Sequence, residues 1–186
     1  MSEALRPNAG IVLRDARPDD CSIIQKIYAE HVINGVASFE ETPPSLDEMR
    51  RRLDSAQSRG LPYLVAEPAE SPGAVLGFAT VGAYRTRPAY RFSLENTVYV
   101  RDGQGGRGIG GLLLGRLIER CENLGFRQMI AVIGDSKNEA SIRLHRRHGF
   151  EPAGCLRSVG FKHGRWLDSV LMQRALGPGD TTMPKP

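Results

Sequence analysis

The chain has 186 residues, of which 40% are apolar and 25% charged, and its formal net charge is +4. This composition is that of an ordinary globular protein, and the length fits one domain with a hydrophobic core. Nucleic-acid binding and a membrane span are disfavoured, because the arginines alternate with acidic residues and no run approaches roughly 18 apolar residues. The first residues also lack the apolar core of a signal peptide.

Cysteine usage indicates the redox compartment. Cys21, Cys121 and Cys155 lie far apart and form no C-x-x-C motif. An odd number of isolated cysteines argues against a disulfide framework and against a zinc site. We therefore expect reduced thiols, a cytoplasmic protein and no metal cofactor.

Periodicity and turn residues predict a mixed series of strands and helices. In chain order these are a strand at residues 11–14, a helix opening at 18–20, a helix opening at 43–48 and ending near residue 60, strands at 63–66 and 75–81 that form a hairpin, and a strand at 95–100. After a glycine-rich loop follow a helix from residue 109, a strand at 129–133, a helix ending at residue 149, and strands at 156–161 and 167–172.

Two local features and a domain boundary complete the predicted architecture. The continuous apolar run at residues 129–133 predicts a strand buried on both faces. Ser136 and Glu139 have the spacing of a capping box at the start of the next helix. No repeat or linker is visible, which indicates one domain over residues 1–176. Residues 177–186 are rich in proline and glycine, so we expect a disordered tail there.

The glycine-rich loop indicates a site for an anion. Residues 106–111 read Gly-Arg-Gly-Ile-Gly-Gly and match the G-x-G-x-x-G fingerprint of dinucleotide-binding folds. Such a fold carries the fingerprint in its first turn, but about a hundred residues precede it here. A Walker A loop is excluded because Gly-Lys-Ser/Thr is missing. The same residues also resemble a loop that binds the pyrophosphate of coenzyme A, and a dinucleotide-dependent oxidoreductase is the weaker alternative.

Four segments carry a resemblance to a known family: ENTVYV, GGRGIGGLLL, AVIGDSKNEASIRLHRRHGF and VGFKHGRWLD. With them the chain resembles the GNAT-superfamily N-acetyltransferases, and among these the phosphinothricin and methionine-sulfoximine acetyltransferases. The resemblance implies an α/β GNAT fold, a mixed and mostly antiparallel twisted sheet flanked by helices. It also implies acetyl-CoA as cosubstrate and a homodimer. Because no Ser-His-Asp or Cys-His pairing stands out, direct transfer without a covalent enzyme intermediate is the simpler mechanism.

One residue departs from the family motif. When the loop is aligned on Gly108 and Gly110, Gly105 stands where the family has Gln or Arg, and Gln104 lies one residue too early. The side-chain contact made from that position is therefore in question. The contacts expected from the loop backbone are unaffected.

The residues expected to bind acetyl-CoA lie on the loop and on the strand before it. Main-chain N–H groups at a helix N-terminus bind a pyrophosphate, and glycine permits close approach and positive φ. In the family, the strand before the loop separates from its neighbour and binds the pantetheine arm, which an asparagine also contacts. The candidates are Val98, Tyr99, Val100, Gly106, Arg107, Gly108, Ile109, Gly110, Gly111 and Asn138.

Two residues are candidates for the proton transfers of the reaction. The resemblance places Glu95 at the start of a strand whose far end meets the cofactor, where a carboxylate can remove a proton from the acceptor amine. His145 stands where many members have a tyrosine that protonates the leaving thiolate, and imidazole titrates near neutral pH. A surface charge and a structural helix histidine are the alternative interpretations of these two residues.

The acceptor is expected to be an amino acid. Arg85 and Arg87 are candidates for binding its carboxylate, although a solvated loop is the alternative, and Phe39 resembles an aromatic residue that shapes the family's substrate pocket. The interpretation is acetylation of the α-amine of a small amino acid or a toxic analogue, such as phosphinothricin, methionine sulfoximine or methionine sulfone. Another amine, such as a protein N-terminus or a polyamine, and a CoA-binding module without turnover remain alternatives. Glu95 and His145 together argue against the module.

Overall fold

The computed structural model describes residues 10–184, whose seven strands form one sheet in the order β1-β2-β3-β4-β5-β7-β6. Neighbouring strands are antiparallel except β4 and β5, which are parallel. The elements are β1 (Ile11–Asp15), α1 (Cys21–Asn34), α2 (Leu46–Ser58), β2 (Tyr63–Pro68), β3 (Gly77–Ala83), β4 (Ser93–Val100), α3 (Ile109–Asn123), β5 (Gln128–Gly134), α4 (Glu139–Arg147), β6 (Glu151–Lys162) and β7 (Arg165–Ala175). This mixed, mostly antiparallel sheet with flanking helices is the architecture expected from the sequence.

Helices cover both faces of the sheet, as successive residues of β3 show. The ring of Phe78 packs edge-on against Tyr28 of α1, with 6.5 Å between the ring centroids. A Cβ placed on Gly77, the preceding residue, would lie 3.2 Å from Leu113 of α3. Because side chains alternate along a strand, α1 and α3 lie on opposite faces. Their apolar stripes and the strands between them form one buried core.

The parallel contact between β4 and β5 is short, and this positions the functional site. The two strands are paired only where Ser93, Leu94 and Glu95 face Gln128, Met129 and Ile130. Beyond Glu95, β4 continues for five residues along β3 without a partner on its other side among the described residues. The sheet therefore opens into a gap between the two strands.

Most of the predicted elements are present, with changed boundaries. The first helix is preceded by a 3₁₀ turn at Pro18–Asp20, and its α-helical part begins at Cys21. The hairpin strands β6 and β7 are longer than predicted, because the edge strand β6 extends far beyond the apolar residues that indicated it. None of the described helices is long and apolar enough to cross a membrane.

Two local predictions were wrong. Val132, in the strand expected to be buried on both faces, is 40% exposed because it lies past the point where β5 loses its contact with β4. The N-cap of α4 is Asn138, whose side-chain oxygen accepts from the N–H of Ser141 at 3.2 Å. Ser136 instead donates its hydroxyl hydrogen to Asp168 at 2.7 Å.

The C-terminal segment contacts the domain in its described part. Arg127 donates to the carbonyl of Gly179 at 3.1 Å and to the hydroxyl of Thr182 at 3.0 Å. The expected disorder of residues 177–186 stays a prediction, and residues 185 and 186 lie outside the described part of the chain.

Candidate active site

A cavity of about 440 Å³ occupies the gap between β4 and β5, and we call it the central cavity. The segment that joins α1 to α2 and the start of α4 complete its walls. Six residues predicted from the sequence line it, namely Phe39, Glu95, Val98, Tyr99, Asn138 and His145. The sheet thus brings together side chains that are more than a hundred positions apart in sequence.

Hydrogen bonds at the two ends of β4 show which of its residues turn their N–H and carbonyl groups toward β3 and which turn them toward the gap. The N–H of Tyr84 donates to the carbonyl of Ser93 at 3.2 Å, at the start of the strand. Just after its end, the N–H of Arg101 donates to the carbonyl of Leu76 at 2.8 Å. In an antiparallel ladder these hydrogen-bonded positions alternate, so the odd-numbered residues of β4 face β3. The even-numbered residues turn their main-chain groups toward the gap.

The even-numbered residues of β4 therefore offer main-chain groups to a bound molecule. Val98 directs both its N–H and its carbonyl into the gap, and Val100 directs its N–H there, while its carbonyl lies 2.8 Å from Nε2 of His31. Tyr99 departs from the expectation, because its main chain faces Phe78 of β3. Tyr99 reaches the central cavity with its side chain.

The glycine-rich loop ends at the N-terminus of α3, as predicted. Gly106 and Gly108 both have a φ of 76°, a left-handed conformation that favours glycine. No side chain caps α3, and Leu112 is the first residue whose N–H bonds within the helix, to the carbonyl of Gly108. The N–H groups of the three residues before Leu112 therefore point out of the helix end, where they suit an anion.

The side-chain surroundings of the other loop residues differ. Gly110 and Gly111 also serve packing, because a Cβ on Gly110 would lie 3.4 Å from Leu144 and a Cβ on Gly111 3.5 Å from His148. The side chain of Ile109 is buried in the core, so only its main chain faces the loop. Arg107 is hydrogen-bonded to Gln104, the residue one position before the motif's usual Gln or Arg.

Glu95 lies at the narrow end of the gap, at the last paired position of β4. Its side chain is half-buried and lines the central cavity. Burial raises the pKa of this carboxyl, while the charge of Arg85 acts in the opposite direction. A carboxylate with a raised pKa at the wall of a cavity suits a general base.

His145 is buried on α4, and both of its ring nitrogens have partners. Nδ1 lies 2.8 Å from the carbonyl of Ser141, and Nε2 lies 3.0 Å from Oδ1 of Asn96. Burial lowers the pKa of His145, while the contact with Ser141 raises it. Both partners are oxygen acceptors, so the ring is held in a fixed orientation at the wall of the cavity with Nε2–H directed at Asn96.

Asn96 was missed in the sequence, although a signal for it existed. Asparagine is depleted in strands, and this one stands inside a strand next to the candidate base. Its Nδ2 donates to the carbonyl of Ile130 at 3.2 Å, and its Oδ1 faces His145. Asn96 therefore bridges β4, β5 and α4 where the gap begins.

Arg85 and Arg87 lie outside the lining of the central cavity, and both are exposed. The Arg85 guanidinium stacks over the ring of Tyr84, with Cζ 4.9 Å from the ring centroid, and its charge acts on Glu95. Arg87 precedes a short 3₁₀ turn at Pro88–Tyr90. Of the two, Arg85 is therefore the one placed to meet a ligand beside Glu95.

A larger cavity of about 510 Å³ lies between α2 and β3, and it shares Tyr28 and Thr97 with the central cavity. It contains none of the residues predicted for the site. The central cavity is the better candidate because it combines a carboxylate, an imidazole and main-chain groups of a separated strand. Among the described residues, no group of three or more His, Cys, Asp or Glu is arranged to hold a metal ion.

Comparison with known proteins agrees with this geometry. The chain is 53% identical over 173 residues to a phosphinothricin N-acetyltransferase from Alcaligenes faecalis, covering 93% of this chain and 86% of that protein. It is 44% identical over 166 residues to an L-methionine sulfoximine/L-methionine sulfone acetyltransferase from Pseudomonas paraeruginosa, covering 89% and 95%.

A solved structure is also similar over almost the whole chain. A GNAT superfamily phosphinothricin acetyltransferase from Sinorhizobium meliloti, crystallised in complex with AcCoA, matches with a TM-score of 0.90 and 49% identity. The match covers 95% of this chain and 94% of that one. The family model of the acetyltransferase (GNAT) domain matches residues 13–171. The chain therefore belongs to the GNAT acetyltransferase family.

Proposed function

We propose that this enzyme transfers the acetyl group of acetyl-CoA to the α-amine of a small amino acid or a toxic analogue of one. The observation that carries this proposal is the separation of β4 from β5 directly after Glu95. It places a candidate base, main-chain hydrogen-bond groups and His145 around one cavity. The names of the relatives, which act on phosphinothricin and on methionine sulfoximine, support the choice of acceptor.

Two parts of the chain fit acetyl-CoA. The outward-pointing N–H groups of Ile109, Gly110 and Gly111, together with the positive end of the α3 dipole, would bind the pyrophosphate. The carbonyl of Val98 and the N–H of Val100 would bind the pantetheine arm along the open side of β4, much as a neighbouring strand would. Asn138, at the cavity wall, would contact the same arm with its amide.

The same residues account for direct transfer. Glu95 takes a proton from the acceptor ammonium group, and the free amine nitrogen attacks the thioester carbonyl carbon. The carbonyl oxygen becomes an oxyanion, which the N–H of Val98 stabilises. The nitrogen gives up its second proton to solvent, the carbon–sulfur bond breaks, and the sulfur leaves with its electron pair. His145 supplies a proton to the sulfur from Nε2, exchanging its contact with Asn96 for the thiolate.

The acceptor carboxylate is assigned to Arg85. Its charge already acts on Glu95, so a carboxylate bound there holds the α-amine close to the base. Acetylation of the α-amine would inactivate a toxic analogue of an amino acid, and we therefore propose resistance to such compounds as the biological role. We place the reaction in the cytoplasm, where the three free cysteines stay reduced.

We also propose that the enzyme works as a homodimer, with β6 at the interface. This strand forms the edge of the sheet, and Leu156, Val159, Phe161 and Trp166 at the β6–β7 hairpin are each more than half exposed. An exposed apolar edge strand of this length favours association. Light scattering at micromolar concentration should give a dimer for the wild type and a monomer for Trp166→Glu. Val12→Glu, at the opposite edge of the sheet, is the control that should stay dimeric.

A turnover assay with a series of acceptors tests the proposed activity. We expect acetyl-CoA-dependent acetylation of phosphinothricin, methionine sulfoximine, methionine sulfone or a related free amino acid. The amide of the same amino acid should be a poor acceptor because it lacks the carboxylate. Equal rates with the acid and the amide would instead favour a polyamine or a protein N-terminus, and binding of acetyl-CoA without any turnover would favour a CoA-binding module.

A further inference from the structure

The segment of residues 35–40, which we call the acceptor loop, forms one wall of the central cavity. It is the first part of the connection from α1 to α2, and its residues Ala37, Ser38, Phe39 and Glu40 line the cavity beside Glu95. Helices and strands position the other walls by their own hydrogen bonds. The acceptor loop has no regular structure, so contacts with the sheet must determine where it lies.

Two glycines of the sheet form a slot that receives the ring of Phe39. A Cβ placed on Gly160 of β6 would lie 2.5 Å from Cε2 of this ring, and a Cβ on Gly134 of β5 would lie 3.0 Å from its Cε1. The distance at Gly160 is shorter than any real Cβ contact and the distance at Gly134 is tighter than most, so the ring lies flush on the backbone of two strands. Phe39 is nevertheless 40% exposed, so part of the ring is left for the cavity.

A buried lysine holds the loop next to this slot. The ammonium group of Lys162 donates to the carbonyl of Ser38 at 2.8 Å, and the residue is only 3% exposed. No carboxylate lies within 4.0 Å of this ammonium group among the described ion pairs. Burial lowers the pKa of Lys162, while the charges of Glu41 and Glu40 act to raise it. Burying a cation without a close counter-ion reduces the stability of the fold. The contact of Lys162 with the loop carbonyl is therefore expected to have a functional role.

We propose that Gly160 and Lys162 are positioning residues, which fix the acceptor loop so that Phe39 limits the space for the acceptor side chain. The backbone of Gly160 packs against the ring of Phe39, and the ammonium group of Lys162 holds the carbonyl of Ser38 in place. This inference rests on the proposed acetylation of an amine in the central cavity. It assigns roles to two residues of the β6–β7 hairpin that do not contact the reacting atoms.

Gly160→Ala tests the slot, and Gly154→Ala is its matched control. Both glycines lie in β6, but a Cβ on Gly154 meets nothing within 4 Å. The new methyl group of Gly160→Ala should displace the ring of Phe39 and change the acceptor KM by about ten- to a hundredfold. The KM for acetyl-CoA should change much less, because the glycine loop that binds its pyrophosphate is not part of the central cavity. Gly154→Ala should leave both values as in the wild type.

A double-mutant cycle with Phe39→Ala makes the test specific. If the ring acts from the slot, Phe39→Ala should change the acceptor KM strongly in the wild type and only about twofold or less in Gly160→Ala, because coupled residues are not additive. Lys162→Met should reproduce the change in acceptor KM, and Lys162→Arg should restore part of it. Equal acceptor KM values for Gly160→Ala and Gly154→Ala would overturn the proposal.

A structural readout separates this inference from the proposed function. A crystal structure of Gly160→Ala should show Phe39 and the carbonyl of Ser38 moved from their wild-type positions, whether or not an amino acid is acetylated. An unmoved ring in that structure would overturn the positioning role. Absence of turnover with every amine in the wild type would instead refute the proposed function.

Discussion

Asn96 connects His145 to β5 at the point where the sheet opens. Its Oδ1 lies 3.0 Å from Nε2 of His145, and its Nδ2 donates to the carbonyl of Ile130. Asn96→Ala removes both contacts and leaves a buried carbonyl and a buried imidazole nitrogen without their partner. We expect a loss of about 1–3 kcal/mol in the free energy of unfolding, measured by urea denaturation.

Ser141→Ala is the control for this measurement. It removes only the hydroxyl that lies 3.4 Å from Nδ1 of His145 and keeps the carbonyl contact. The loss of stability should be clearly smaller than for Asn96→Ala. Equal losses would contradict the assignment of Asn96 as the residue that holds the imidazole and the strand together.

Glu95→Gln tests the general base. The amide keeps the shape of the side chain and cannot take a proton, so kcat should fall by about 10²–10⁴. The affinity for acetyl-CoA, measured by isothermal titration, should change little. A fall of only about threefold would show that solvent removes the proton and that Glu95 has a structural role.

The pH dependence should distinguish Arg85 from Arg87. Glu95 acts when deprotonated, so the activity falls as the pH drops through its pKa, which burial raises and Arg85 lowers. Arg85→Met removes the lowering charge, so the acidic limb of kcat/KM should move to higher pH. Arg87→Met is the control, since Arg87 does not act on Glu95.

The pH experiment requires one further precaution. All three enzymes are assayed with the same acceptor, so that the ionisation of its amine contributes equally to every profile. The acceptor KM should also rise in Arg85→Met, because a charge-assisted hydrogen bond to the carboxylate is lost. An identical shift of the acidic limb of kcat/KM in Arg85→Met and Arg87→Met would contradict a specific role of Arg85.

Gly108→Asp tests the pyrophosphate site. The substitution adds a carboxylate and a left-handed strain at the N-cap of α3, where the outward-pointing N–H groups begin. Acetyl-CoA affinity should fall by roughly tenfold or more, because the new charge repels the pyrophosphate. Gly103→Asp carries the same charge and a similar strain, with a φ of 72°, five residues earlier in the loop. A similar loss of acetyl-CoA affinity in both variants would indicate that the pyrophosphate does not bind at the N-terminus of α3.

The sequence predicted those parts of the site that depend on local patterns. The glycine loop and its helix could be found because their residue types and spacing follow from main-chain geometry, whereas the candidate base Glu95 came from the resemblance to the family. The exposure of Val132 could not be found, since it depends on where β4 and β5 separate, and register is not visible in a local pattern. For the same reason the apolar run appeared to be buried on both faces.

Contacts between segments that are distant in the chain could not be predicted from the sequence either. Lys162 directly follows the strand predicted at residues 156–161 and received no role from the sequence, but the fold buries it against Ser38, which lies 124 positions away. Gly160 falls inside the strand predicted at residues 156–161, where no local pattern shows that its missing side chain makes room for Phe39. Gly110 and Gly111 were assigned to the phosphate alone, although α4 packs against both. In each case the partner is a residue that no local pattern identifies.

The short parallel ladder between β4 and β5 affects how cooperatively the two halves of the sheet unfold. Within residues 10–184, three paired positions on each strand and the side chain of Asn96 join the half-sheet β1–β4 to the half-sheet β5–β7–β6. A molecule that lies in the gap and bonds the main chain of Val98 takes the place of a missing strand. The cosubstrate would then tie the two half-sheets into a single cooperative unit, and amide hydrogen exchange on both sides of the gap should slow together when it binds.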